Sequence, residues 1–476
     1  MTKTIFYFKQ VFIIVTFALI FFFVLNYHIS PPPVFYSLSS LSAAAGDTTP
    51  TAARHLLFAI ASSTKTFPGR KDYIGLWYRT NSTRAYVFLD RDPLGAENVS
   101  DPALPPILIH ESTAGFPYNN SKGHRSAVAI ARMVKAVAMR NESDVRWYVF
   151  GDDDTVFFVE NVVSALSKYD HEELYYIGAN SESYEQNAYF SFDMGYGGGG
   201  FALSHGLAKV LGAVLDSCIV RYPHLYGSDS RIFACLAELG IGLTHEPGFH
   251  QTDVWGNLFG FLTSHPQSIL LSLHHLDEVQ PLFPNMSRPQ ALKHFFTAVD
   301  ADPARISQQT ICYDQNNSLS VSVSWGYAVQ VYQGYYPLPD LLSALRTFLP
   351  WDKDRGHPRF MFNTRPVPSD PCQRPLLFFL DTVHSNGTTN NVWTRYSRHG
   401  LVQSCNTHDK LLMDLKEIKV FSKRLDVDDA RLQADVTEFV RKKRNCPKFS
   451  TLLGARIAVS KRGYTCSEPA KNIIYQ

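Results

Sequence analysis

Three consecutive carboxylates close the stretch WYVFGDDDTVFF (147–158), directly behind a run of apolar, strand-forming side chains. Like charges in that place either form a solvated turn capping the next helix or await a cation and an anionic substrate. A hard divalent ion held by one or two carboxylates, with phosphate oxygens in its other positions, is the usual way proteins handle nucleotides. Asp152 and Asp154 are two apart, so in extended chain their side chains share a side, whereas Asp153 points elsewhere and can reach a ribose or sugar hydroxyl. Repulsion among the three would be relieved when the cation arrives. An EF-hand loop is excluded, because its third ligand position would be Val156 and its glycine Phe157.

Two further stretches carry residues of the right types. In MGYGGGGFALSHG (194–206), Gly195, Gly197 and Gly200 satisfy G-x-G-x-x-G, and Asp216 lies 21 residues beyond Gly195. The helix expected over 201–215 runs into Asp216, however, and leaves no second strand to carry the acid, so a dinucleotide site is rejected. The glycines either let the backbone approach a ligand closely or form only a tight loop. In YGSDSRIFACLAELGIGLTHEPGFHQTD (226–253), Asp229 precedes a helix-like run, where Ser228 or Asp229 can serve simply as N-cap. His250 follows a Pro-Gly turn, and a lone histidine is more often structural than a ligand. His274 and His275, in SLHHLD, read as structural, because neighbours on a strand point to opposite faces.

The elements that must position these residues alternate. Strands are expected at 55–63, 84–90 and 173–180, a strand running into a loop over 146–154, and helices at 69–78, 126–140 and 159–169. Such alternation over 55–250 predicts an α/β domain with a mostly parallel, doubly covered sheet, where ligands bind at the carboxyl ends of strands. The acidic triplet sits at such an end. From about 281 the helical alternation fades and SLSVSVSWGYAVQVY (318–332) has the period of strands, so 281–476 reads as a β-rich region of unknown role behind a 53–280 domain.

At 476 residues, 45% hydrophobic and 18% charged, the chain is long enough for one large or two ordinary cores. A net charge of +2 with no long basic run argues against nucleic acid as a partner. The apolar run 5–25 is long enough to cross a bilayer, with Lys3 and Lys9 on its N-terminal side. The positive-inside rule then gives a cytoplasmic tail (1–4), a transmembrane signal anchor (5–27) and a Pro/Ser-rich stem (28–52), with the body lumenal. Sequons at Asn81, Asn98, Asn119, Asn141, Asn285, Asn316 and Asn386 agree. Seven cysteines without a CxxC pair argue against a zinc site, and in an oxidising lumen Cys218–Cys235 is the first expected bridge.

Taken in order, WYVFGDDDTVFF, GYGGGGFALS and SDSRI…LGIGLTHEPGFHQ resemble the Fringe-like β-1,3-glycosyltransferases over roughly 55–265, and more closely their plant branch, the DUF604 proteins. That resemblance implies a GT-A (nucleotide-diphospho-sugar transferase) fold, a type II Golgi membrane protein, a UDP-sugar donor, a glycan or glycoprotein acceptor, and Mn²⁺, with Mg²⁺ as the alternative. It implies metal ligation by Asp154 and His250, with Asp152 and Asp153 completing the triplet at the donor. Asp229 falls at the position of the catalytic base, Arg70 near the nucleotide, and Gly198 and Gly199 beside the donor. Two departures stand out: Ser228-Asp229 replaces an acidic pair, and GGGGF replaces GGAGF. The chemistry expected is inverting transfer. A catalytically silent GT-A-fold binding or scaffold protein and a metal-dependent hydrolase are the competing readings.

Overall fold

The computed structural model describes Thr16 and residues 49–92, 101–314, 318–352, 359–387, 390–400, 412, 414–425, 457–460 and 463–466. Residues 50–476 form one compact unit. Among the described residues no helix is long and apolar enough to cross a membrane, and the expected span 5–27, the tail 1–4 and most of the stem 28–52 lie outside them.

A seven-stranded sheet organises this unit. Its strands are β1 (Leu56–Ala61), β2 (Arg84–Leu89), β3 (Ile107–Ile109), β4 (Trp147–Asp152), β6 (Tyr176–Gly178), β7 (Phe201–Ser204) and β8 (Leu243–His245), while β5 (Val156–Phe157) lies outside it. The order is β3-β2-β1-β4-β7-β6-β8, and every neighbouring pair is parallel except those made by β7, which is antiparallel to both β4 and β6. The period of two in β1 divides its side chains between two cores. Leu56, Phe58 and Ile60 face one apolar cluster, and Leu57, Ala59 and Ala61 the other. Burying each such leucine, isoleucine or phenylalanine contributes roughly 1.5–3 kcal/mol. This is the doubly covered, mostly parallel sheet that the sequence predicts.

Helices Ser126–Ala138, His205–Ile219 and Ser228–Glu238 cover the second face, and a Cys218–Cys235 disulfide, as expected, ties the last two together with Cα atoms 5.8 Å apart. The first face is covered by helix Phe67–Trp77 and by the β-rich region, whose Phe295, Tyr327 and Phe378 join the same cluster as Phe58. That region is built on an eight-stranded sheet of strands 309–314, 319–324, 328–333, 376–386, 391–399, 417–423, 463–466 and 457–460, in that spatial order. A three-stranded sheet of β5, β9 (Phe249–His250) and β11 (Ser272–Leu273) adjoins the triplet. The strand β10 (Val254–Gly256) pairs with Phe348–Pro350.

Two local expectations are corrected. The helix expected from Phe201 begins at His205, because Phe201–Ser204 are wholly buried and fill the gap between β4 and β6. A helix at Arg288–Ala301 interrupts the region read as strands; Ser287 and Gln290 form its capping box.

Candidate functional site

The carboxyl ends of β1 and β4 lie side by side, with Ala61 opposite Asp152. Beyond Asp152 the chain turns at once. The Thr155 amide donates to the Asp152 carbonyl (3.0 Å), the Asp152 amide donates to Thr155 Oγ1 (2.8 Å), and the Thr155 hydroxyl donates to the Gly198 carbonyl (2.7 Å). Asp152 and Asp154 therefore share a side through a turn rather than through extended chain.

The three acids have different neighbours. Asp153 is buried, and its two oxygens are taken: Ser62 and Thr66 hydroxyls donate to Oδ2, each at 2.6 Å, and Arg70 Nη1 donates to Oδ1 at 3.0 Å. It clamps helix Phe67–Trp77 to the sheet and does not point at open space, contrary to the reach towards a sugar hydroxyl expected of it. Arg70 also contacts Asp277 and lies 3.3 Å from Asp154 Oδ2. Asp154 is 1% exposed, yet neither of its oxygens has an aligned hydrogen bond; its contacts with Arg70 and with His274 Nε2 (3.2 Å) are at ion-pair distance only.

His274 completes the cluster. One ligand atom from each of Asp152, Asp154 and His274 lies within 4.8 Å of the others. Burial opposes the charge on the imidazole, but Asp154 and then Asp152 and Asp253 push its pKa up to about 9. In turn, against its own burial, His274 followed by Arg70 and His275 holds the Asp154 carboxyl below the usual carboxylate range. Asp152 is pushed up to about 7, first by desolvation and then by the Asp154, Asp229 and Asp153 charges, with His274 opposing. Asp154, buried with both oxygens lacking a hydrogen bond, the more exposed Asp152 and the His274 imidazole make a donor set fit for a divalent cation of mixed oxygen and nitrogen preference.

The glycine run is explained by what crowds it. A Cβ at Gly197 would meet Asp229 Oδ1 at 2.6 Å, one at Gly198 would meet the His274 ring at 2.2 Å, and one at Gly199 the Gln251 amide nitrogen at 2.9 Å. Gly200 has a φ of +93°, a conformation that side chains other than glycine's resist. Gly198 and Gly199 thus press on His274 and on the chain after β9. Asp229 stands in the first turn of its helix, beside the Gly197 amide and the Ser228 hydroxyl (2.9 Å). Burial raises its pKa, while the Gly197 amide, Ser228 and His274 work against the rise. On its far side a cavity of 570 Å³ opens, bounded also by Tyr196, Tyr226, Asp253, His275 and Trp351.

The structure thus brings together Arg70, Asp152, Asp153, Asp154, Gly198, Gly199 and, close by, Asp229. It does not bring His250 into the triplet's cluster. His250 Nδ1 donates to Glu182 Oε1 (2.8 Å), Glu182 Oε2 accepts from the Thr252 amide (2.7 Å), and the histidine ring stands 5.3 Å from His265. His250, Glu182 and His265 form a separate buried group. The structural reading of His274 and His275 is corrected as well. β11 ends at Leu273, and His275 has a φ of +54°, so strand alternation stops and the two rings lie 3.8 Å apart on one side. His275 then stacks on Trp351 (4.4 Å) and contacts Asp253 (3.2 Å).

Two comparisons bear on this site. A curated human beta-1,3-glucosyltransferase is 30% identical over 143 residues, covering 29% of this chain. The chain matches about a quarter (26%) of that relative's length. A family model described as "Protein of unknown function, DUF604" matches residues 186–437, more than half of the chain, a stretch that takes in the glycine run, Asp229 and His274. The chain belongs to the DUF604 family.

Proposed function

We propose that this protein is a metal-dependent, inverting glycosyltransferase of the GT-A fold that moves a sugar from a UDP-sugar to a hydroxyl of a glycan, glycoprotein or other acceptor. One observation carries the reading: Asp152, Asp154 and His274 converge, with both buried Asp154 oxygens lacking a hydrogen bond, beside Asp229 and under a glycine backbone. Asp152, Asp154 and His274 would hold the ion, and a bound Mn²⁺, or Mg²⁺ in its place, would supply positive charge against the donor's diphosphate. His274 takes the part expected of His250.

The chain's own residues do the rest. Arg70, anchored by Asp153 and Asp277, keeps a cation beside Asp154 at the donor side. Gly198 holds the backbone against His274 so that its ring keeps its orientation, and Gly199 lets the run pass close to Gln251, just after β9. Asp229 accepts the proton of the attacking acceptor hydroxyl, and the burial that raises its pKa makes it a stronger base. The alternating sheet with its triplet at a strand end supports the GT-A assignment. The Cys218–Cys235 bridge and the sequons support an oxidising, glycosylating lumen, so we place the protein in the Golgi membrane with residues 5–27 as its anchor.

The test is to offer the purified full-length chain a panel of UDP-sugars with Mn²⁺, UDP-glucose first because the human relative is a glucosyltransferase. One donor should be bound and slowly hydrolysed, with binding lost in chelator. Binding of UDP-sugars that chelator leaves unchanged, or no binding at all, overturns the reading.

A further inference from the structure

We propose that Trp351, contributed by the β-rich region, is a positioning residue for His274 that acts through the His275 ring; this rests on the transfer reading above. The β-rich region would then complete the metal site as well as cover the sheet. A row of rings runs from one region into the other. Trp255 and Trp351 lie 4.5 Å apart and 9° from parallel, Trp351 and His275 4.4 Å and 7°, and His275 and His274 3.8 Å and 33°. The row ends on the carboxylates, with His274 Nε2 3.2 Å from Asp154 and 3.7 Å from Asp152. Stacked rings gain energy beyond the area they bury, so each restrains the orientation of the next.

The backbone shows what the row holds in place. His275 has a φ of +54°, a left-handed conformation that glycine adopts freely and histidine resists. Such residues persist only where their surroundings hold them, and two holds are present here. Trp351 stacks on the imidazole, and the Asp253 carboxylate, buried and accepting from the Ser181 hydroxyl, lies 3.2 Å from its Nδ1. Released to extended geometry, residue 275 would continue the line of β11 and turn its side chain away from the side of His274. His274 would keep the Gly198 backbone beside it and lose the ring it lies against. The turn that brings Asp277 to Arg70 starts from the same residue, closed by the Glu278 amide donating to the His275 carbonyl (3.0 Å).

Trp351 is itself firmly placed. It follows the strand Phe348–Pro350, which pairs with β10 so that Val254 stands opposite Pro350 and Trp255 opposite Leu349. The Trp255 indole Nε1 donates to the Trp351 carbonyl (2.9 Å), and the Trp351 ring is stacked by both Trp255 and His275. It offers the ion no donor atom and acts through ring geometry alone. Groups that orient a metal-binding histidine decide how well it binds, and losing one typically lowers metal affinity by about 10–100-fold.

The experiment is a Mn²⁺ titration of the full-length protein, read from the electron paramagnetic resonance signal of free Mn²⁺, in the parental chain and in Trp351→Phe, Trp351→Leu and His275→Gly. Phenylalanine keeps a face for His275, leucine keeps only bulk, and glycine suits the left-handed backbone but removes the ring. Trp351→Phe should stay within about threefold of the parental affinity, whereas Trp351→Leu and His275→Gly should each weaken Mn²⁺ about tenfold or more. Saturating Co²⁺ gives a readout that general loosening of the fold would not move: its visible bands should match the parental ones in Trp351→Phe and shift in Trp351→Leu. Should Trp351→Leu fail to fold, His275→Gly, which relieves the backbone, still decides. Equal affinities in Trp351→Phe and Trp351→Leu, parental affinity in His275→Gly, or unshifted Co²⁺ bands in Trp351→Leu overturn the proposal. Mn²⁺ binding that survives in His275→Gly as in the parent sinks this proposal alone. No Mn²⁺ binding by the parental protein sinks the transfer reading on which it stands.

Discussion

Two largely buried groups of carboxylate and imidazole lie among the described residues, and they differ in whether their hydrogen-bonding capacity is used. In the group of Glu182, His250 and His265 both carboxylate oxygens accept good hydrogen bonds, from His250 Nδ1 and the Thr252 amide. His250 Nε2 stays open, and aromatic rings surround it, with Phe261 at 5.6 Å and His265 at 5.3 Å. In the group of Asp152, Asp154 and His274, neither Asp154 oxygen nor His274 Nδ1 has an aligned partner. The first group closes a turn that forces Thr252 to a φ of +57°. The second carries the unsatisfied charge a cation would relieve. Residue types alone do not separate them; saturation does.

The largest effect should therefore come from emptying the unsaturated group. Asp154→Ala and His274→Ala should each reduce transfer to background and abolish Mn²⁺-dependent UDP binding by calorimetry. His250→Ala should leave that binding in place. The reverse pattern, with His250→Ala abolishing metal dependence and His274→Ala sparing it, would break the comparison. Next in size is Asp229→Asn, which should slow transfer by about 10²–10⁴-fold while UDP and Mn²⁺ still bind, because a general base acts only on the reacting proton. Parental transfer rates in purified Asp229→Asn would remove the base assignment. Smaller again is the stability cost of His250→Ala. It leaves Glu182 buried without one partner, at about 1–3 kcal/mol by urea unfolding.

Why the sequence led to His250 rather than His274 is instructive. The acid triplet, the glycine run and Asp229 were legible because each depends on a local pattern: a strand end, a residue lacking a side chain, a helix start. The Cys218–Cys235 bridge was legible for a similar reason, joining the ends of two consecutive helices. His250 matched a motif, but Glu182, 68 positions upstream, captures its Nδ1, and no local pattern announces that partner. His274 was hidden by the assumption of continuing strand. A two-residue β11 and a left-handed His275, not a glycine, bring both rings to one side. Phe201–Ser204 looked like the start of a helix because its burial comes from β4 and β6, both distant in sequence. The Arg288–Ala301 helix did carry a local sign, the Ser287…Gln290 capping box, which the strand-like pattern downstream obscured.

The finest test of the comparison uses protons. His274 is pushed up to about 9 by its facing carboxylates, whereas burial, and then His250, drives His265 well below its ordinary 6.5. A histidine with a raised folded pKa adds stability that is complete below its unfolded pKa and fades as pH climbs through the folded one. In the metal-free protein the His274 contribution should thus be full below about 6.5 and lost towards 9. For His265 the sign reverses. Its neutral ring is favoured above about 6.5, and stability is lost as pH falls below that, since the unfolded chain then takes up a proton that the folded one refuses. His274→Ala should flatten the alkaline limb of the unfolding profile and leave the acid limb alone. A cation entering between Asp152, Asp154 and His274 must also displace the imidazole proton and the share of a proton held by Asp152, so Mn²⁺ binding at pH 7 should release roughly one to two protons. Calorimetry in two buffers of different ionisation heat reads that number directly. Uptake of Mn²⁺ without proton release would mean that His274 is not among its ligands, and the distinction between the saturated and unsaturated groups would fail with it.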